Sequence, residues 1–307
     1  MTLVSLTGGT GFIGAALIDQ LIAGGFKVRA LARNKARVRR AGDIDIIEGD
    51  LENAAALGAL AYGADVFMHL AGETHARSEQ DFTRINVAGA ERAATAAAKA
   101  GARFVHASSL SARAPETSPY ARSKFESESA IARASDGNDW IALRLPAIYG
   151  PGDLVTLPYF KMLKSGFAFE PATETPARAS LLFVEDAASA FIAAASCGAP
   201  ARVYEVEDET PDGRTWSEIG KALSAIYGNN AMAIRIPKPA IALVHEGMRA
   251  AETMFGRTPS IRQGQVNELF HPDWVARDNL FGAATGWRAM TPLKEGFAKT
   301  VRWYQEQ

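Results

Sequence analysis

The chain has 307 residues, of which 48% are hydrophobic and 22% charged, so it is long enough for one large domain with a lobe or for two modest globular domains. The formal net charge of −1 excludes the strongly basic field that attracts nucleic acid or an anionic membrane. The single cysteine, Cys197, excludes an internal disulfide framework and favours a reducing, cytoplasmic location. We expect neither a membrane span nor a secretory signal, because no apolar stretch is long enough and the first one leads at once into a glycine turn.

The first half of the chain alternates short apolar runs with helical patterns. Residues 3–6 are an apolar run before glycines, which predicts a buried strand, and residues 12–22 have apolar side chains at helical spacing. Further strands are predicted at 27–32, 44–47, 66–70, 104–107 and 140–145, and further helices at 81–100 and 119–134. This alternation predicts an α/β fold, with a doubly wound parallel sheet of the Rossmann type.

The pattern changes after residue 150, where helical stretches and prolines become more frequent. Residues 181–184 and 203–206 still predict strands, with a helix over 186–195 between them, and these elements are expected to rejoin the sheet. We therefore predict a dinucleotide-binding domain over 1–150, completed by about 178–206. A smaller, mostly helical substrate-binding lobe would comprise 151–177 and 207–307.

A glycine-rich turn joins the first predicted strand to the first helix. Gly8 permits the tight turn, Gly11 lets the backbone approach a pyrophosphate, and Gly14 lets the helix pack closely on the strand. The free N–H groups and the positive dipole end of the helix would face the phosphates. The predicted cofactor ligands in this turn are Gly8, Thr10, Gly11, Phe12, Ile13 and Gly14.

The segment after the second strand is basic. Residues 27–40 include seven cationic residues and no acidic one, whereas folds that prefer NAD often place an acidic residue here to hold the ribose hydroxyls. An arginine fork suits the 2′-phosphate of NADP(H). We predict that NADP(H) is preferred over NAD(H), with Arg33 as the main ligand and Arg37 as a weaker one. A solvated basic helix face is the alternative interpretation.

Several further motifs follow in a fixed order. They are Gly49-Asp50-Leu51, His69-Leu70-Ala71-Gly72, Asn86, Ser108-Ser109, Tyr120-Ala121-Arg122-Ser123-Lys124, Arg144-Leu145-Pro146 and Tyr149-Gly150-Pro151-Gly152. With the glycine turn, they make the sequence resemble the extended short-chain dehydrogenases/reductases, the NAD(P)-dependent epimerase/dehydratase superfamily, over nearly the whole chain.

This resemblance assigns cofactor contacts beyond the glycine turn. It implies that Asp50 and Leu51 contact the adenine ring and that Ala71 and Gly72 line the cofactor channel. It also implies that the backbone after Pro146, around Ile148, meets the nicotinamide amide, and that Lys124 holds the nicotinamide ribose.

Tyr120 and Lys124 lie four residues apart on a predicted helix, so they share a face. We expect the ammonium group to lower the phenol pKa from about 10, so that Tyr120 can protonate a carbonyl oxygen or deprotonate an alcohol. Ser109 follows the fifth strand, at the sheet edge where such folds bind ligands, and its hydroxyl would bind the reacting oxygen. The family register favours Ser109 over Ser108. We expect Arg144 to form a structural ion pair, and no histidine spacing predicts a metal site.

The leading hypothesis is an NAD(P)-dependent oxidoreductase that moves a hydride between nicotinamide and a carbonyl or secondary alcohol. Dehydratases of this group carry an Asp-Glu pair directly after the catalytic Ser or Thr, where this chain has Leu110 and Ser111, so water elimination is not expected. Two alternatives stay open: a nucleotide-sugar epimerase with tightly bound NAD, and a non-catalytic NADP(H)-binding accessory protein resembling the dinucleotide-binding subunit of respiratory complex I. The expected partners are a small-molecule substrate and a second copy of the chain in a homodimer.

Overall fold

The computed structural model describes residues 2–38, 40–76, 78–241, 243 and 263–306. The strands are β1 (Leu3–Thr7), β2 (Lys27–Ala32), β3 (Asp45–Glu48), β4 (Val66–His69), β5 (Arg103–Ser109), β6 (Trp140–Leu145), β7 (Ala147–Tyr149), β8 (Phe167–Pro171), β9 (Arg178–Ala179), β10 (Leu181–Phe183), β11 (Arg202–Glu205), β12 (Arg214–Thr215), β13 (Met232–Ile236) and β14 (Asp273–Trp274). The helices are α1 (Phe12–Ala23), α2 (Ala54–Ala61), α3 (Glu79–Phe82), α4 (Ala88–Ala100), α5 (Pro119–Ala134), α6 (Leu157–Lys164), α7 (Val184–Ser196), α8 (Trp216–Tyr227), α9 (Gln263–Leu269), α10 (Leu280–Thr285) and α11 (Leu293–Gln305).

The centre of the fold is a seven-stranded sheet in the order β11-β6-β5-β4-β1-β2-β3, and every pair in it is parallel. The chain order reverses between β1 and β4, which is the topological switch point where doubly wound folds bind ligands. The predicted α/β Rossmann-type fold is confirmed. Since the strands are parallel, all the loops that follow them meet at one edge of the sheet.

Two helical layers cover the sheet, and each buries its own apolar cluster. On one face, α1 packs beside α7, and apolar residues such as Leu17 and Phe191 are fully buried against the strands. On the other face, α2, α4 and α5 bury alanines and leucines against Phe67 and Phe104. Since both faces are covered, the strands form nearly continuous apolar runs, as the sequence predicts for a parallel sheet.

One predicted strand lies in a different sheet from the expected one. β11 joins the main sheet beside β6, with Arg202 opposite Ile141. The run at 181–184, however, forms β10, which pairs with β7 in a separate two-stranded parallel sheet. The reason is that β11 already occupies the free edge of β6, and Pro146, which has no N–H group, follows the last residue of β6. The division of the chain into a dinucleotide-binding domain and a substrate-binding lobe stays a prediction.

The C-terminal part packs around two smaller apolar clusters. α6, α8 and α11 surround Phe160, Leu223 and Phe297, and Phe169 packs with Val266 and Phe270 beside β8 and α9. Of the predicted lobe, residues 242, 244–262 and 307 lie outside the described residues. No helix within the described ranges is long and apolar enough to cross a membrane.

The helix predicted over 81–100 changes its winding near its start. α3 forms one turn, residues Thr83–Val87 wind as a π-turn, and α4 continues to Ala100. The π-turn points Asn86 inward, where only 2% of the residue is exposed. Asn86 Oδ1 accepts a hydrogen bond from Glu73 N at 2.8 Å, and Nδ2 donates to Glu73 O and to Ser123 Oγ at 3.0 and 2.8 Å. Asn86 therefore joins the loop after β4 to α5.

Candidate active site

The turn between β1 and α1 has the shape of a phosphate cradle. A Cβ atom on Gly14 would lie 2.1 Å from the Gly8 carbonyl oxygen, and one on Gly8 would lie 2.6 Å from Ala71 N, so neither position accepts a side chain. Gly11 is exposed, and a Cβ there would meet only Gly8 O, at 3.2 Å, so the space above it is open. No side chain caps α1, which leaves its first N–H groups for an anion. The turn therefore fits a dinucleotide pyrophosphate, with Thr10, Phe12 and Ile13 beside it.

The predicted adenosine-side residues lie at the same edge of the sheet. Arg33 follows β2 and is exposed, and its guanidinium makes no hydrogen bond or ion pair within the described ranges. Asp50 follows β3, and its Oδ1 accepts hydrogen bonds from Glu52 N and Asn53 N at 2.9 and 3.1 Å, which fixes the carboxylate in a turn. Leu51 packs on Gly89 of α4. The structure thus brings these residues to the edge that holds the cradle.

The loop after β4 connects the cradle to α5. Ala71 N donates to the Thr7 hydroxyl at 3.3 Å, so this loop is fixed to the end of β1. A Cβ on Gly72 would lie 3.5 Å from Lys124 Nζ, so only a glycine backbone leaves this space beside the amine open. Pro146 is buried after β6, and Ile148 is half-buried in β7 opposite Leu182.

The three predicted catalytic side chains come together where β5 ends and α5 begins. Ser118 caps α5 by accepting a hydrogen bond from Ala121 N at 2.9 Å, and Pro119 occupies the first turn, which explains why the helix starts there. This start places Tyr120 near Ser109, whose hydroxyl acts to lower the pKa of the phenol. Lys124 Nζ lies 5.9 Å from the centre of the Tyr120 ring.

The pKa of Tyr120 is shifted in the direction opposite to our expectation. Burial raises the pKa of Tyr120 to about 12, which outweighs the lowering effect of the hydrogen bond with Ser109, and the charge of Glu268 raises it further. Burial also lowers the pKa of Lys124 to about 8, partly opposed by the charge of Glu128. The ammonium group donates to Ala107 O at 2.8 Å. The expected lowering of the Tyr120 pKa by Lys124 was wrong, because the phenol lies in a desolvated site.

Two histidines in neighbouring strands form a neutral layer below Lys124. His69 and His106 are opposite each other in register, and their rings stack with centres 5.4 Å apart. Burial lowers the pKa of His69 to about 3 and holds the pKa of His106 well below its usual value, and the charge of Lys124 acts in the same direction. His69 Nδ1 hydrogen-bonds the Thr7 hydroxyl at 2.8 Å. Within the described part of the chain, no group of three or more His, Cys, Asp or Glu side chains is placed to hold a metal ion.

Arg144 forms the predicted structural ion pair. Its Nε and Nη2 atoms donate to the two carboxylate oxygens of Glu128 at 2.9 and 2.7 Å, and both side chains are largely buried. Ser108 donates its hydroxyl to the same carboxylate at 2.5 Å. Ser108 therefore faces away from Tyr120, which agrees with the register that favours Ser109 as the site residue.

Comparison with known proteins identifies the family of this chain. A model of the NAD dependent epimerase/dehydratase family matches residues 4–206. The chain belongs to this family. The epimerase/dehydratase-family chain is 38% identical to the ceramide reductase of Caulobacter vibrioides over 98% of its own length and 94% of the relative. It is 26% identical to the 3 beta-hydroxysteroid dehydrogenase/Delta 5→4-isomerase of Mycobacterium tuberculosis, over 92% of the chain and 83% of the relative.

The fold of this family member also matches solved structures. DesIV, the dTDP-glucose 4,6-dehydratase of Streptomyces venezuelae solved with NAD bound, superposes over 100% of the chain and 98% of its own length, with a TM-score of 0.76 at 23% identity. The relatives are reductases, dehydrogenases and dehydratases, so this chain is an enzyme of the extended short-chain dehydrogenase/reductase type. The hypothesis of a non-catalytic accessory protein is therefore dropped.

Glu268 lies against the start of α5, two residues from Tyr120 along that helix, a position that the sequence analysis missed. It lies on α9, and the hydroxyl of Ser118 donates to its Oε1. In sequence, Glu268 is one polar residue of a short amphipathic stretch, and no local pattern indicates that its carboxyl is buried. The burial arises only because α9 packs on a turn 150 residues earlier in the chain.

Proposed function

We propose that this enzyme is an NADPH-dependent reductase that converts a ketone on a ceramide-type lipid to a secondary alcohol. The observation that carries the proposal is the 38% identity to a ceramide reductase, which extends over 98% of the chain and therefore includes the C-terminal part as well as the cofactor fold. The side chains that carbonyl reduction requires, Ser109, Tyr120 and Lys124, lie together at the sheet edge.

The proton in this reaction comes from Tyr120. With a pKa of about 12 the phenol is protonated near neutrality, so it can donate to the carbonyl oxygen of a ketone. The Ser109 hydroxyl holds the same oxygen, and its interaction with the phenol favours the phenolate that forms. Lys124, beside Gly72, would also hold the ribose of the cofactor, and the reduced nicotinamide supplies the hydride when bound.

The surroundings of the catalytic group favour reduction of an apolar substrate. Leu110 is buried and Ser111 N donates to Ser109 Oγ at 3.2 Å, so the acid–base pair of the family's dehydratases has no counterpart here. An apolar cluster that includes Phe169, Val266 and Phe270 lies beside α9, which packs on the start of the catalytic helix. The partly exposed apolar side chains around this cluster, such as Tyr159 and Trp216, suit the apolar chain of a lipid.

The proposal is tested by mixing the purified enzyme with NADPH and the ketone form of a ceramide and following NADPH absorbance and alcohol formation. We expect stoichiometric formation of the alcohol, with nucleotide that exchanges freely with solvent. Tightly retained NAD(H) that turns over no lipid ketone would instead indicate an epimerase. We further propose that the enzyme acts in the cytoplasm as a homodimer, which sedimentation would test.

We also propose that Arg33 selects NADPH, because its guanidinium has no protein partner within the described ranges and lies after β2. Replacing Arg33 by serine removes a charge-assisted bond worth roughly 1.5–3 kcal/mol, so the KM for NADPH should rise roughly 10- to 150-fold while that for NADH stays constant. Steady-state kinetics with both nucleotides measure this. Arg133→Ser, a distant exposed change at the end of α5, is the control, and equal effects on both nucleotides would contradict the assignment.

A further inference from the structure

Glu268 is a carboxyl group that the reaction described above leaves without a role. Its helix, α9, packs on the turn that begins the catalytic helix. A Cβ on Gly264 would lie 2.7 Å from Ser118 Cβ, and Asn267 Nδ2 donates to Thr117 O at 3.0 Å. The Ser118 hydroxyl donates to Glu268 Oε1. These contacts hold the carboxyl against the first turn of α5, which also carries Tyr120.

The Glu268 carboxyl lies at the start of the catalytic helix, and the protein satisfies it only in part. Its charge raises the pKa of Tyr120, and burial raises the pKa of Glu268 itself. Within the described ranges, the bond from Ser118 is the only side-chain hydrogen bond that Glu268 makes, and Oε2 has no protein donor. Because Oε2 is not fully buried, it can accept a hydrogen bond from a donor on a bound molecule.

One side of the helix that carries Glu268 packs into an apolar core. Val266 and Phe270 are buried there with Phe169, and around them lie the partly exposed side chains of Tyr159, Met162, Trp216, Ile236, Ile241 and Leu269. Partly exposed apolar side chains and a carboxylate acceptor are therefore carried by the same helix and its neighbours. A molecule that contacts both needs an apolar chain and a hydrogen-bond donor near its reacting group.

We propose that Glu268 determines substrate specificity by accepting a hydrogen bond from an amide N–H or hydroxyl on the carbon next to the reacting ketone. The inference rests on the proposed function and adds which feature of the substrate the enzyme recognises. A donor on that carbon lies within a few bonds of the carbonyl oxygen held by Tyr120 and Ser109. Sites built to bind a donor discriminate strongly against analogues that lack it, because the bound analogue excludes water from the acceptor without replacing its hydrogen bond.

The test compares two long-chain ketones that differ in one group. One has an acylamino group next to the ketone, and the other has an ester oxygen in place of the N–H. We expect the wild-type enzyme to prefer the amide roughly 10- to 100-fold in kcat/KM. Glu268→Leu should lower kcat/KM for the amide alone, which brings the amide-to-ester ratio of kcat/KM near one. Glu268→Gln keeps an acceptor but loses the charge, so it should give an intermediate ratio.

Asn267→Ala is the matched control, because it removes a contact of the same helix with the α5 turn and leaves Glu268 in place; its amide-to-ester ratio should equal that of the wild type. Equal losses on both ketones in Glu268→Leu, with an unchanged ratio, would show a structural role and overturn the proposal. If Glu268→Leu does not fold, the Glu268→Gln variant tests the proposal instead, since glutamine can still accept the hydrogen bond from Ser118 and so keep the helix in place. A Gln variant that keeps the full wild-type ratio overturns the proposal.

Calorimetric binding of the two ketones separates this inference from the proposed function. If the wild type reduces neither ketone but binds the amide more tightly, and the Gln variant loses that preference, the proposed function fails while the role of Glu268 stands. If the wild type binds both ketones equally, the role of Glu268 is overturned whatever the turnover shows.

Discussion

Replacing Tyr120 by phenylalanine should lower kcat for ketone reduction by roughly 10²- to 10⁴-fold, the range that general acid catalysis contributes. The change removes one oxygen atom and its proton, and the ring keeps its packing against Phe82. Nucleotide binding should be unchanged, because the predicted nucleotide ligands lie on the cradle and on Lys124. Single-turnover kinetics with NADPH, together with a nucleotide titration, measure both effects.

The control for this substitution is Tyr62→Phe, the same chemical change at a residue that is 80% exposed beyond α2. It should turn over ketone at the wild-type rate. A Tyr120→Phe enzyme that kept more than about a tenth of wild-type kcat would show that another group donates the proton. In that case the phenol would only hold the substrate, and its loss would raise KM instead.

The second large effect concerns stability and the ion pair between α5 and β6. Arg144→Met should lower the free energy of unfolding by about 3 kcal/mol, because it leaves the carboxylate of Glu128 buried with the Ser108 hydroxyl as its only hydrogen-bond donor among the described residues. The figure lies at the lower end of the range for broken buried pairs, since 19% of the Arg144 side chain is exposed. Denaturant unfolding followed by circular dichroism measures the loss.

Two comparisons show whether charge burial causes that loss. The double variant Arg144→Met/Glu128→Leu should recover most of the stability, because it removes both charges together. Arg40→Met breaks the exposed pair with Asp43, in which about half of each side chain is exposed, and should cost under about 1 kcal/mol. An Arg144→Met loss as small as that of Arg40→Met would mean that water solvates Glu128.

The local features of the site were predictable because short-range rules decide them. Ser118 and Pro119 mark the start of α5, and a spacing of four then places Tyr120 and Lys124 on one face whatever surrounds the helix. Two glycines of the first turn are likewise required locally: Gly8 by its positive φ of 79°, and Gly14 by a contact with Gly8 O within the turn. The preference for Ser109 over Ser108 agrees with the structure because strand residues alternate in direction.

Features that depend on distant contacts were not predictable. Residues 181–183 have the composition of a buried strand whichever neighbour they pair with, and only the occupation of the β6 edge by β11 moves them to β7. The pKa of Tyr120 depends on how deeply the phenol is buried, and the sequence spacing with Lys124 carries no information about that. Glu268 joins the site through a contact spanning 150 residues, which no window of sequence contains.

The π-turn at Thr83–Val87 has a consequence for how this chain tolerates changes in length. A π-turn contains one residue more than the α-helical turn that it replaces. The side chains before it are therefore rotated by about 100° around the helix axis, relative to those of a regular α-helix. Deleting one residue there should restore regular α-winding and leave α4 intact. The same deletion would rotate Asn86 away from Glu73 and Ser123, so the loop that carries Gly72 would lose its tether. One extra residue, held in a locally underwound turn, thus keeps α4 in phase with the cofactor channel.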